Sequence, residues 1–376
     1  MYDLIIRNAR LSDEQVVDIA LQNGRIADVG KVQGKAQRER DLAGRYYLSA
    51  GWIDSHVHCY PKSPIYHDEA DAIGVAYGVT TVVDAGSTGA EHIDDFYQLT
   101  RAAQTQVYAL INIARTGIVT QNELADMAQI DGEAVQQAVA RLPDFIVGLK
   151  ARISSSVVGQ NGVRPLIKAK SIQQESGGLP LMVHIGNNPP SLDEIADLLT
   201  TGDIITHCFN GKPNRILTSQ GELKAAVKQA IARGVRLDIG HGSASFSFEV
   251  ARAAIAQGIL PDTISSDIYC RNRLAGPVHS LAHVMSKFFS VGMTLSQVID
   301  CVTVNAAAGL RLLRKGQLKA GYDADLTVFS VKEEARPFID SEGEEVTGEK
   351  HLVPLAAVVA GTWIATEEGI AHDLGL

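Results

Sequence analysis

"GWIDSHVHCY" (residues 51–60) sets two imidazoles, His56 and His58, one residue apart at the end of an apolar run. In an extended strand residues i and i+2 point to one face, so a strand here would project both rings together. At the carboxyl end of a barrel strand that face is the mouth, where such folds carry their chemistry. An HxH pair alone equally suits two polar residues at a strand end. The decision rests on what the rest of the chain supplies.

Seven further short apolar runs follow: VTTVVDAG (79–86), VYALINIA (107–114), FIVGLKARI (145–153), LPLMVHIG (179–186), DIITHCF (203–209), VRLDIGHG (235–242) and TISSDIY (263–269). Between them lie helix-like segments such as RPLIKAKSIQQES (164–176) and GELKAAVKQAIARG (221–234). SLDEIADLLTTG (191–202) opens with Ser191 and Glu194 at capping-box spacing. Eight strands alternating with helices is the count that closes a (β/α)8 TIM barrel. An open doubly wound sheet is the alternative, but no glycine-rich dinucleotide fingerprint follows the first run. The two chain ends read differently, as short strands broken by Asn-Gly and Gly turns (2–51 and 316–369). The expected organisation is an α/β chain in which residues 51–311 form the barrel. Residues 1–50 and 312–376 together form a small β-sandwich domain.

Polar residues recur near the ends of these runs. His184 lies in LMVHIG, His207 in IITHCF and Asp267 in ISSDIY. Burying such groups costs several kcal/mol unless they are satisfied, so each needs a reason. Lys150, within FIVGLKARI, is the oddest of them. Burial or nearby cations lower a lysine's pKa, and a neutral amine can add carbon dioxide to give an anionic carbamate able to bridge two metals. A lysine paired with a carboxylate such as Asp267 is the other reading.

The pattern resembles the amidohydrolase superfamily, in its two-metal dihydroorotase-like and deacetylase-like branch. The resemblance rests on His56 and His58 in the first run, Lys150 in the fourth, His184 and His207 in the fifth and sixth, and Asp267 in the eighth. VTVNAAAGLRL (302–312) and GQLKAGYDADLTVF (316–329) resemble the segments where such chains leave the barrel and enter the small domain. The likeness therefore implies two divalent ions, with zinc the natural choice, bridged by N6-carboxylated Lys150. It makes these six residues the ligands and Asp267 the proton shuttle, in a hydrolase of amides, esters or cyclic amides.

Substrate choice is less legible. Dihydroorotases usually follow the HxH pair with an arginine that binds the substrate carboxylate, but Cys59, Tyr60 and Pro61 stand here. Arg152 shares strand parity with Lys150 and could offer its guanidinium fork to a carboxylate, or form a salt bridge at the rim. Arg271 and Tyr269, beside Asp267, are further candidates. The expected activity is removal of an acyl group, acetyl above all, from a small carboxylate-bearing molecule. An N-acyl D-amino acid or an O-acyl (R)-2-hydroxy acid would fit. The alternatives are a cyclic amidohydrolase, a nucleobase deaminase and a non-catalytic scaffold. A net charge of −9 argues against nucleic acid or an anionic membrane as partner. Four scattered cysteines and no apolar run of roughly 18 residues point to a reducing cytoplasm. The expected partners are a small-molecule substrate and further copies of the chain in a homo-oligomer.

Overall fold

The computed structural model describes residues 1–372. The N-terminal strands are β1 (Tyr2–Arg10), β2 (Val16–Gln22), β3 (Arg25–Gly30), β4 (Ala36–Asp41) and β5 (Tyr47–Ala50). Asn23 and Gly24 join β2 to β3 with positive φ of 52° and 71°, the geometry a tight hairpin demands. Seven parallel strands follow: β6 (Trp52–Val57), β7 (Val79–Ala85), β8 (Gln106–Asn112), β9 (Ile146–Ile153), β10 (Leu181–Ile185), β11 (Ile204–Thr206) and β12 (Arg236–Leu237). They neighbour one another in strict chain order. Nearly every residue of β6, β7 and β9 is buried, because helices cover one face and the interior covers the other. That double burial explains why these strands read as continuous apolar runs. The helices Arg164–Glu175 and Leu192–Leu198 form where expected, the latter with the Ser191–Glu194 capping box intact.

The seventh and eighth runs are less regular than their sequences suggest. β12 keeps only two residues, because Gly240 and Gly242 take positive φ (47° and 58°) and end the extended run. Residues 263–268 form no strand of their own among the described residues, since Asp267 also has positive φ (53°). They are nonetheless tied on both sides. Ile239 N donates to Thr263 O at 3.1 Å, Asp267 N to His56 O at 2.7 Å and His58 N to Ile268 O at 2.9 Å. The domain is TIM-barrel-like, with the carboxyl ends of its strands gathered at one mouth.

The chain then returns with β13 (Leu326–Lys332), β14 (Arg336–Ile339), β15 (Glu345–Gly348), β16 (His351–Val359) and β17 (Thr362–Ala365). Apart from the β14–β15 pair, these join the N-terminal strands in one eight-stranded mixed sheet, ordered β17-β16-β13-β5-β1-β2-β3 with β4 alongside β1. This β-rich domain has its own core of Leu4, Ile6, Ile19, Leu48, Leu326, Val328 and Leu355. Buried Lys315 ties it to the barrel, donating to Asp325 at 2.6 Å, Asp323 at 3.1 Å and Gln106 of β8.

The β14–β15 hairpin leaves that sheet and lies over the barrel's mouth side. Ser341 N donates to Phe246 O at 2.9 Å, Ser341 Oγ to Gly242 O at 3.1 Å and Phe248 N to Asp340 at 2.9 Å. The buried Lys287 amine fastens it, donating to Ile339 O at 2.6 Å and Pro277 O at 3.0 Å, with His241 Nε2 2.9 Å away. Among the described residues, no helix is long and apolar enough to cross a membrane.

Candidate metal centre

His56, His58, Lys150, His184, His207 and Asp267 converge at the mouth. His56 Nε2 lies 3.2 Å and His58 Nε2 3.0 Å from the same oxygen, Asp267 Oδ1. Lys150 Nζ lies 3.3 Å from His56 Nε2 and donates to Ala85 O at 3.0 Å. His207 Nε2 and His184 Nδ1 are 2.8 Å apart. Ligating atoms of His56, His207 and Asp267 all fall within 4.8 Å of one another. Gly86 makes room for the lysine stem, since a Cβ there would lie 2.6 Å from Lys150 Cγ.

The other nitrogen of three rings is already spoken for. His58 Nδ1 meets Ser87 Oγ at 2.8 Å and His207 Nδ1 donates to Gly240 O at 2.6 Å. His56 Nδ1 meets Thr206 Oγ1 at 2.9 Å, and Thr206 donates onward to Asp238 at 2.7 Å. Asp238 is itself fixed by Thr263 and Ser265. A carbonyl behind Nδ1 requires the proton there and turns the Nε2 lone pair inwards, as metal ligation requires.

Charge follows the same logic. Burial pushes His184 well below the usual imidazole range and His207 down to about 3, and it lowers His58. His56 is raised, because Asp267 and Asp238 outweigh its burial. Burial likewise opposes ionisation of Asp267, yet His56 and His58 hold its carboxyl well below the ordinary value. Burial pulls Lys150 down to about 8, with Arg152 adding to the effect. Imidazoles held neutral at His58, His184 and His207, an ionised carboxylate beside His56 and an easily deprotonated amine make a donor set that fits divalent ions, and zinc suits its nitrogen and oxygen atoms.

Two of these residues sit on strained backbone. His207 (φ 63°) and Asp267 (φ 53°) are left-handed, which costs of order 1–3 kcal/mol each. Each carbonyl is caught by a nearby asparagine: Asn210 Nδ2 donates to His207 O at 2.9 Å and Asn272 Nδ2 to Asp267 O at 3.0 Å. The turn swings each side chain out of the strand's alternation and into the centre.

The remaining candidates spread over the rim. Arg152 gives Nη2 and Nε to buried Glu123 at 2.5 and 2.7 Å, so much of its fork is engaged. Tyr269 meets Tyr66 edge-on at 4.9 Å, and Tyr66 lies 5.5 Å from the His58 ring. Arg271 is exposed in the helix Cys270–Ala275. Cys59 and Cys208, each beside a histidine of the set, are buried in the apolar core instead. His241, at the end of the seventh run, faces Lys287 and stacks on Phe246. Sequence reading passed over Tyr66, Ser87, Glu123, Thr206 and Asp238. Of these only Asp238, a charge inside the apolar run VRLDIG, carried the signal that exposed Asp267.

Known proteins resemble this chain over nearly its full length. A deacetylase-like composite domain matches residues 318–363. A deacetylase of Enterococcus faecalis is 46% identical over 96% of this chain and 98% of its own length. A solved structure described as an adenine deaminase matches with a TM-score of 0.96 at 45% identity, covering 97% of this chain and 100% of that one. Another, described as a dihydroorotase, has a TM-score of 0.89 at 35% identity, covering 97% and 99%.

Proposed function

The chain belongs to the deacetylases of the amidohydrolase superfamily, and from that premise we propose a two-metal hydrolase that removes an acyl group, acetyl above all, from a small carboxylate-bearing molecule. An N-acyl D-amino acid or an O-acyl (R)-2-hydroxy acid is the substrate class. The observation that carries the reading is the convergence of the His56 and His58 Nε2 atoms on one oxygen of Asp267 above a buried lysine. His56, His58 and Asp267 would hold one ion, and His184 and His207 the other. Lys150 would bridge them as its carbamate, formed when the neutral amine adds carbon dioxide and releases a proton. Zinc is the metal we assign. We also take residues 263–268 as the eighth member of a closed (β/α)8 barrel spanning 51–311, with 1–50 and 312–376 as a small β-sandwich, of which residues 373–376 lie outside the described residues.

Bound there, divalent ions lower the pKa of water towards neutrality and polarise a carbonyl oxygen. Everything else falls to the chain. Asp267, ionised and one-fifth exposed at its side chain, takes the proton of the attacking water and delivers it to the leaving amine or alkoxide. The Gly240 carbonyl and the Thr206 hydroxyl, which donates to Asp238, hold His207 and His56 to one tautomer, and Ser87 orients the His58 ring. We assign Arg152, Tyr269 and Arg271 to the border of the space for the rest of the substrate.

The test is hydrolysis by zinc-loaded protein of paired N-acetyl D- and L-amino acids, O-acetyl (R)- and (S)-2-hydroxy acids, dihydroorotate and adenine. The expected result is turnover of the D or R acyl compounds with no ring opening and no ammonia. Turnover of dihydroorotate, or ammonia from adenine, would replace the reading with the activity by which one of the two solved structures is described. Lys150→Ala should lose bound metal and most activity, and a variant keeping two ions and full activity would remove the carbamate.

A further inference from the structure

Most cations near the mouth are already matched. Arg152 is held by Glu123, and Arg273 donates through Nε and Nη2 to Asp68 at 2.8 and 2.9 Å. Lys62 pairs with Asp95 at 2.9 Å, and Lys287 is fully occupied with the hairpin. Lys212 differs from these, and from Arg271, which is unpaired among the described residues but exposed. Lys212 is half-buried, yet among the described residues its ammonium has neither a hydrogen-bond acceptor nor an ion-pair carboxylate within 4 Å. Its backbone, by contrast, is tightly built. Asn210, which catches the His207 carbonyl, also accepts from Lys212 N at 3.0 Å, and Arg215 Nε donates to Lys212 O at 2.9 Å. The loop that turns His207 inwards therefore fixes Lys212 beside it.

The charge registers at the centre. Burial lowers the Lys212 pKa, while Glu342 and Asp267 support its proton, and its charge in turn disfavours one on His184. Glu342 belongs to the hairpin over the mouth and packs against Gly211, where a Cβ would lie 2.8 Å from its Oε1. A partly desolvated ammonium with no direct partner, on the fixed loop that follows His207 and coupled in charge to Asp267 and His184, is a receptor for an anion brought by the ligand.

We propose that Lys212 is the residue that reads the substrate's carboxylate, placing the scissile acyl group at the centre. This deepens the acyl-hydrolase reading above and rests on it. Arg152, its fork largely taken, is left to neutralise Glu123 and border the pocket.

The experiment compares O-acetyl-(R)-lactate with its methyl ester on zinc-loaded wild type, Lys212→Met and Lys212→Arg. Binding of (R)-lactate to each protein is measured by calorimetry. In wild type the free acid should be preferred. Lys212→Met should reduce that preference, as a ratio of kcat/KM values, by ~10- to 100-fold, the scale of one hydrogen bond to a charged group. It should also weaken (R)-lactate binding by a similar factor, and Lys212→Arg should recover much of both. If Lys212 only steadies the hairpin through Glu342, both esters fall together and the ratio holds, which overturns the proposal. Wild type that cleaves the methyl ester but not the acid overturns it too, with the acyl-hydrolase reading intact. Cleavage of neither ester, and of none of the acetyl compounds in the panel above, removes that reading and Lys212's role with it.

Discussion

The six-residue centre depends on groups that touch no substrate. Thr206 is the clearest case, because its hydroxyl accepts from His56 Nδ1 and donates to Asp238, joining two residues whose direct separation is 3.6 Å. Thr206→Val keeps the shape and removes the link. The variant should fold normally, yet bind its metal about 10- to 100-fold more weakly, as loss of a partner behind a ligand does. Competition with a chelator measures this directly, and unchanged affinity would mean that packing alone orients His56. The six converging residues were legible in sequence because a polar side chain in an apolar run is conspicuous, and His56 and His58 share strand parity. Thr206 was not, since a threonine in a strand has no such contrast. Lys212 and Glu123 escaped for another reason. They lie on loops, where parity says nothing about which face a side chain meets.

At the scale of elements, strands with covered faces were readable and irregular ones were not. β6 to β11 each fall on their apolar runs, β8 starting one residue ahead of its run, whereas the seventh and eighth runs break where Gly240, Gly242 and Asp267 turn left-handed. Those breaks put the hairpin and Lys287 next to the centre, an arrangement no periodicity announces. Burial lowers Lys287 from 10.5 to about 7, so between those values the unfolded chain binds more protons than the folded one. Stability should therefore rise with pH across that window, relative to Lys287→Met, and the difference should level off below about 7. Melting temperatures of the two proteins against pH supply the comparison. A difference that stays flat would mean that the acceptors around Lys287 keep its ammonium charged.

At the scale of the whole molecule, the barrel and the β-rich domain share a polar joint. Lys315, buried between Asp323, Asp325 and β8, is the cation that satisfies two carboxylates at that joint. Lys315→Met leaves buried Asp325 without its cation, while Asp323 keeps Arg25 and Arg314, and the loss should cost ~3–5 kcal/mol. Calorimetry should resolve the single transition expected of the wild type into two, with the β-rich domain melting first, whereas one transition at an unchanged temperature would mean that apolar packing alone couples the domains. The two ends of the chain were recognisable as one unit from their shared strand-and-turn style, though their order in the sheet was not. In that order β5 is flanked by β13, with Ala50 opposite Leu326. The ribosome must add nearly 280 residues between those partners, which at ~5–20 residues per second takes on the order of 15–60 s. For that interval the nascent chain carries a sheet edge with no mate, and the barrel is synthesised while it waits. Chaperone shielding of the first fifty residues during translation, and slower release of soluble protein when β13 is weakened, follow from the order of synthesis alone.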